Sequence, residues 1–205
     1  MFERPRRLVS WLVPLCATAL AAQTPTTRTV TDHRLVSGAD PRATFVIDTA
    51  YRFVGGQTID ILKVAGAEQF FFVRSGPDRT VRSFYWLQFE HYYPANTYTY
   101  DYSGIDQQAL SLGPLAFVGD IRTLPNYFTM DKRPGSDSEA AATFLRDRGL
   151  SLSGTFVTLR LFHLPDASKR RELMIIYGER VTDERSSDNV KGALVQHAEA
   201  GITVQ

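Results

Sequence analysis

Four consecutive large apolar residues, Phe70-Phe71-Phe72-Val73, leave a strand no wet side. Side chains alternate between the two faces of a strand, so an unbroken apolar run reads as a central strand covered on each side. The segments around it read as its partners. Phe45 to Val54 is apolar at Phe45, Ile47, Tyr51 and Phe53, and Gly55-Gly56 reads as a two-residue hairpin turn. Thr58 to Val64 returns, and Ala65-Gly66-Ala67 turns the chain again. After Ser75-Gly76-Pro77-Asp78, Val81 to Tyr93 is the fourth and longest strand of a meander.

Pro94 to Gly135 has tyrosines, prolines and glycines, little period, and one short apolar patch at Leu115 to Val118. So long a stretch without clear structure is uncommon in a compact domain and often functional. Order returns at Ser136, an N-cap with Glu139 at capping-box spacing. Ala141, Phe144 and Leu145 form its apolar stripe and Gly149 its stop. Strands are predicted over Phe156 to Leu164 and Glu172 to Val181, a helix over Ser187 to Ala200 stopped by Gly201, and a short strand over Ile202 to Gln205. The expected fold class is α+β. Its antiparallel sheet, a four-stranded meander plus a C-terminal hairpin, carries two helices packed on one face.

The N-terminal residues read as an export signal. Arg4, Arg6 and Arg7 precede an apolar stretch from Leu8 to Leu20, and Ala19-Leu20-Ala21 offers the small residues of a cleavage site. Spanning a bilayer takes roughly 20 apolar residues, and this stretch is shorter and contains Pro14. We expect residues 1–22 to be a cleaved signal peptide, 23–43 a flexible extension and 44–205 one α+β domain, periplasmic or secreted, with no stable membrane anchor after cleavage. Val13-Pro14-Leu15 is a poor context for lipidation at Cys16, the only cysteine. Cleavage removes that thiol, so disulfides and thiolate chemistry are excluded from the mature chain. It also removes three arginines and one glutamate, taking the formal net charge from +1 to −1. A near-neutral domain gives no electrostatic reason to expect nucleic acid.

The fourth strand and the tyrosine-rich run after it hold the candidate site. One face of the strand carries Phe84, Trp86, Gln88, Glu90 and Tyr92, passing from aromatic to polar as the wall of a half-open pocket does. Glu90 and His91 are adjacent and therefore face opposite ways. The run from Tyr92 to Tyr102 then alternates Tyr98, Tyr100 and Tyr102 with Thr99 and Asp101. Tyrosines present flat apolar area with a hydroxyl tip, suited to small ligands and protein partners, although they also form good strands. The expected ligand-binding residues are Trp86, Gln88, Glu90, Tyr98, Tyr100, Asp101 and Tyr102.

Among the four histidines, His33, His91, His163 and His197, no two have metal-ligand spacing. His163 ends an apolar face and reads as a satisfied histidine at the core margin, Arg160 as a carboxylate binder or a snorkelling surface arginine, and Lys169-Arg170-Arg171-Glu172 as a solvated turn. No nucleophile elbow, phosphate loop or dinucleotide fingerprint occurs, and no metal or cofactor is expected. The leading expectation is a non-catalytic module binding a small ligand or a protein partner. The alternatives are a hydrolase or lyase using Glu90 and Asp101 as acid and base, and a structural envelope accessory with a large exposed apolar patch.

Overall fold

Val81 to Tyr92 forms a strand, and its two faces organise the molecule. The computed structural model describes residues 27–105, 108–182 and 186–205; the expected signal, residues 1–22, lies outside them. Three short strands come first: β1 (Arg28–Thr31), β2 (Arg34–Ser37) and β3 (Ala43–Ile47). Longer ones follow, β4 (Arg52–Ile61), β5 (Ala65–Ser75) and β6 (Val81–Tyr92). A hairpin of β7 (Gln108–Leu112) and β8 (Leu115–Pro125) precedes helix α1 (Asp137–Asp147). Then come β9 (Thr155–His163), β10 (Arg171–Arg180), helix α2 (Ser187–Ala200) and β11 (Ile202–Val204).

These strands make two sheets. The larger has seven strands in the order β4-β5-β6-β10-β9-β8-β7, and the smaller has four, β1-β2-β3-β11. Every neighbouring pair is antiparallel.

Apolar alternation on both faces of the central strands dictates the layers. Tyr85, Leu87 and Phe89 of β6 join Leu173, Ile175 and Tyr177 of β10 on one face. The small sheet covers them with Leu35, Phe45, Ile47, Ile202 and Val204, and α2 with Val190, Leu194 and Ala198. Phe84 and Trp86 share the other face with Phe71, Phe156 and Ile176. There α1 lays down Ala141, Phe144 and Leu145, assisted by Phe128, Leu150 and Leu152 from the connecting segments.

This arrangement corrects the expected fold class. The protein is mostly β, with two sheets, and its helices lie on opposite faces of the larger one. The physical reason is area: a seven-stranded sheet that is apolar on both sides needs two covers, and two short helices on one side would leave the other wet. Two of the second sheet's four strands, β1 and β2, come from residues 28–37, within the segment read as an extension.

Local departures follow from backbone chemistry. Gly55-Gly56 lies inside β4 rather than at a turn, where the register shifts between Phe53 and Gly55. This bulge gives Gly55 a φ of +124° and brings Arg148 of the α1 C-cap to the Val54 carbonyl, Nε to O 2.8 Å. The turn falls instead at Leu62 and Lys63, with φ of 50° and 59°, and the Lys63 N–H donates to Asp60 Oδ1 at 2.7 Å. Two successive positive φ values are those of a type I′ hairpin. Helix α1 begins as read: Ser136 accepts from the Glu139 N–H at 3.2 Å, while the Glu139 carboxylate accepts from the Gly135 N–H at 2.6 Å.

Candidate functional site

Antiparallel pairing of β6 with β10 sets Glu90 directly opposite Glu172. Strand alternation puts both on the Trp86 face, beyond its apolar part, where a band of polar side chains crosses three strands. Gln57 Nε2 donates to Gln69 Oε1, Gln69 Nε2 to Gln88 Oε1, and Gln88 Nε2 to Glu90 Oε2, each at 2.7 Å. Each amide passes its donor to the next acceptor, so the buried glutamines are satisfied.

Residues 98–103 close over this band as a strap. Its backbone is pinned by the β9–β10 turn: the Tyr100 N–H donates to Lys169 O at 2.8 Å, and Arg170 donates to Tyr98 O and Tyr93 O at 2.9 and 2.8 Å. The strap's hydroxyls reach down to the carboxylates. Tyr100 donates to Glu90 Oε1 at 2.7 Å, and Tyr102 donates to Glu172 Oε2. Its rings stack in a column. Tyr92 and Tyr100 are 4.4 Å apart, Tyr100 and Tyr102 6.4 Å, and Tyr102 and Phe162 4.3 Å, all within 20° of parallel.

Burial governs the protonation of this cluster. It raises the Glu90 carboxyl above the usual range, against the Tyr100 and Gln88 hydrogen bonds that favour the charged form. Glu172 goes well above it, through burial first and the neighbouring Glu90 second. Two acids this close in a dry site do not both ionise readily. Tyr100 is pushed up strongly, by burial and then by Glu90, so its hydroxyl stays a donor.

Beside the strap runs an open groove of about 490 Å³. Tyr100, Tyr102 and Phe162 supply aromatic walls, Phe117 and Val118 apolar ones, and Asp101, His163 and Lys169 polar groups. The His163 ring is fixed by an Nδ1 contact of 2.8 Å to Ala116 O.

The residues singled out from sequence separate into three situations. Gln88, Glu90, Tyr100 and Tyr102 are brought together, with Tyr100 and Tyr102 also reaching the groove. Trp86, 1 % exposed, belongs to the core against Phe71. Tyr98 and Asp101 face solvent: Tyr98 meets Tyr92 edge-on, and Asp101 accepts from the Ser103 N–H at 3.0 Å. Sequence reasoning missed Glu172 by assigning it to a solvated turn, and it missed Phe162 and Lys169. The signal for Glu172 was its place on the two-residue period of Met174 and Ile176. Arg160 holds Asp120 in a bidentate pair at 2.8 and 2.6 Å. Burial works to raise the Asp120 carboxyl, but the hydrogen bonds from Arg160 and Arg122 outweigh it and hold it low.

A second polar cluster lies on the opposite face. His197 Nδ1 is 2.6 Å from Glu179 Oε1, which also accepts from the Tyr177 hydroxyl at 2.7 Å, beside a hollow of about 260 Å³. Among the described residues no group of three or more His, Cys, Asp or Glu side chains is placed to hold a metal, and no helix is long and apolar enough to cross a membrane.

The chain matches no protein-family model, no curated protein and no solved structure. The functional reading therefore rests on geometry and chemistry.

Proposed function

We propose that the protein is an exported, non-catalytic binding module. It takes a small ligand with a flat, largely apolar body in the groove beside the tyrosine strap. The observation that carries this reading is the aromatic wall: Tyr102, stacked on Phe162, lines an open groove of about 490 Å³. That volume is in the range of small-molecule sites, which combine apolar and aromatic walls with a few fixed polar groups. Lys169 is one of those groups and favours an anionic or hydrogen-bond-accepting substituent on the ligand, while His163 is held by its Nδ1–H donated to Ala116 O. The Tyr100–Glu90 and Tyr102–Glu172 hydrogen bonds preorganise the wall, which lowers the entropy lost on binding. The signal-like pattern of residues 1–22 supports export.

The rival readings draw less support. Glu90 is engaged beneath the strap by Tyr100 and Gln88, whereas Asp101 is exposed and lines the groove. Acid and base do not converge on one space. Among the described residues, the large apolar side chains that are exposed, Val36, Tyr98 and Met130, lie on three separate segments, which offers an accessory role little support there.

Thermal unfolding against a library of aromatic acids, sugars and lipids tests the proposal. A ligand at a hundredfold excess over its Kd adds about 2.7 kcal/mol to the folded state. Ala116→Trp, at an exposed groove position, is expected to abolish the ligand response while the unfolding midpoint stays in place. A response that survives Ala116→Trp, or none across the library, refutes the groove as the site.

A further inference from the structure

We infer that the mouth between the two sheets is a second binding site, one that takes the phosphate group of a small molecule. It is a hollow of about 410 Å³ lined by Arg28 of β1, the β2–β3 connection including Asp40 and Arg42, His91 of β6 and Arg171 of β10. It shares no lining residue with the groove, so it stands or falls separately.

Strand register assembles the cations. Arg171 pairs directly with His91 across the β6–β10 ladder, so both project to the small-sheet side. Glu90, between Phe89 and His91, projects the other way, where Tyr100 and Gln88 hold its carboxyl. From the facing sheet Arg28 lies over the Phe89 ring at 3.9 Å. Three guanidinium groups and an imidazole thus line one hollow, with Asp40 as the acid among them whose carboxylate faces this side.

The cations divide into fixed and available ones. Arg28 is fixed: its side chain is 10 % exposed, Nη1 donates to Glu68 at 2.9 Å and Nη2 to Asp40 O at 3.0 Å. Its Nε is buried without a partner among the described residues. The side chains of Arg42 and His91 are exposed and make no hydrogen bond or ion pair among the described residues. Arg171 holds Asp40 at 2.8 Å, but both side chains are about half exposed, and such ion pairs are weak. An incoming dianion with three acceptor oxygens can recruit the Arg171 fork and the free Arg42, which is how phosphate is usually held. The His91 pKa is lowered by burial first and then by Arg171 and Arg28, with Glu68 of β5 acting against them. The hollow exceeds the phosphate itself and leaves room for an organic body.

Proton NMR of the imidazole resonances tests the site, with His91 assigned by its loss in His91→Gln. Inorganic phosphate is expected to shift the His91 signal saturably and to raise its titration midpoint. Sodium chloride at matched ionic strength and acetate should not. Arg42→Gln should weaken the phosphate response about tenfold, the scale of a lost charge-assisted bond. Arg122→Gln, on an arginine paired with Asp120 elsewhere, should leave it unchanged. Ala116→Trp should also leave it unchanged, so failure here is distinguishable from failure of the groove. A shift reproduced by chloride, saturation by acetate at equal strength, or an undiminished response in Arg42→Gln overturns the proposal.

Discussion

Glu90 and Glu172 face each other across the β6–β10 ladder, and each accepts a hydrogen bond from a different tyrosine of one strap. Like charges directly opposite on a sheet repel, and here they are also buried. The arrangement is stable when protons occupy it and loses stability when they leave.

A pH dependence results. The folded-state pKa of Glu172 is raised well above its ordinary value, so the native state keeps a proton that the unfolded chain releases near pH 4.3. Its stabilisation is complete below that pH and is lost as pH rises through the folded value. Urea denaturation should therefore show stability falling as pH rises above the ordinary carboxylate range. Glu172→Gln, whose amide oxygen still accepts from Tyr102, should flatten that fall and be more stable than the parent above the ordinary carboxylate range.

Tyrosines of the strap should differ in weight despite their even spacing. Tyr100→Phe keeps the ring stacked on Tyr92 but removes the donor to Glu90, at a cost of about 1–2 kcal/mol. Tyr98→Ala, at an exposed ring, should stay within about 0.5 kcal/mol. Chemical denaturation of the two variants checks the contrast, and equal losses would contradict the strap geometry.

Two glycines should respond in opposite directions to alanine. Gly113 has φ +55°, and a Cβ there would collide with the Val204 carbonyl oxygen, so Gly113→Ala should cost about 2–4 kcal/mol. Gly192 lies in α2 with open space around it, and Gly192→Ala should gain up to about 1 kcal/mol in helix propensity. Thermal melts of both report the signs.

Lys63 offers a third backbone test. It holds a φ of 59° in the β4–β5 turn, a position where glycine is free of the Cβ clash. Lys63→Gly should stabilise the protein by about 0.5–1 kcal/mol, measured by the denaturation midpoint at constant slope.

How far the sequence foretold the structure depended on how strongly each segment was patterned. The Phe70–Val73 part of β5, the length of β6, the Ser136 cap and the hairpin of β9 and β10 were readable, because burial and capping impose them locally, whereas Ala65-Gly66-Ala67, read as a turn, opens β5. The small sheet was not. β2 buries only Leu35 and Ser37, too short an alternation to stand out among Thr, Ser and Asp. The β4–β5 turn was missed because Leu62 and Lys63 take left-handed backbone without glycine, while the visible Gly55-Gly56 serves a bulge. β7 and β8 hid because β8 carries Asp120 and Arg122 on the face where Val118 also lies, and the partner of that acid, Arg160, is on β9. Of the site, the tyrosines and Glu90 stood out by composition. Glu172 and Phe162 joined them through strand pairing, which no local window contains. The Phe70–Val73 run already required a cover on each face; what it left open was which elements would provide it.

The pairing of β3 with β11 ties Ile47 to Ile202. One neighbour of β3, β2, precedes it in the chain, whereas the other, β11, follows every other described element. The small sheet is therefore completed by a contact of long sequence separation, of the kind that slows folding.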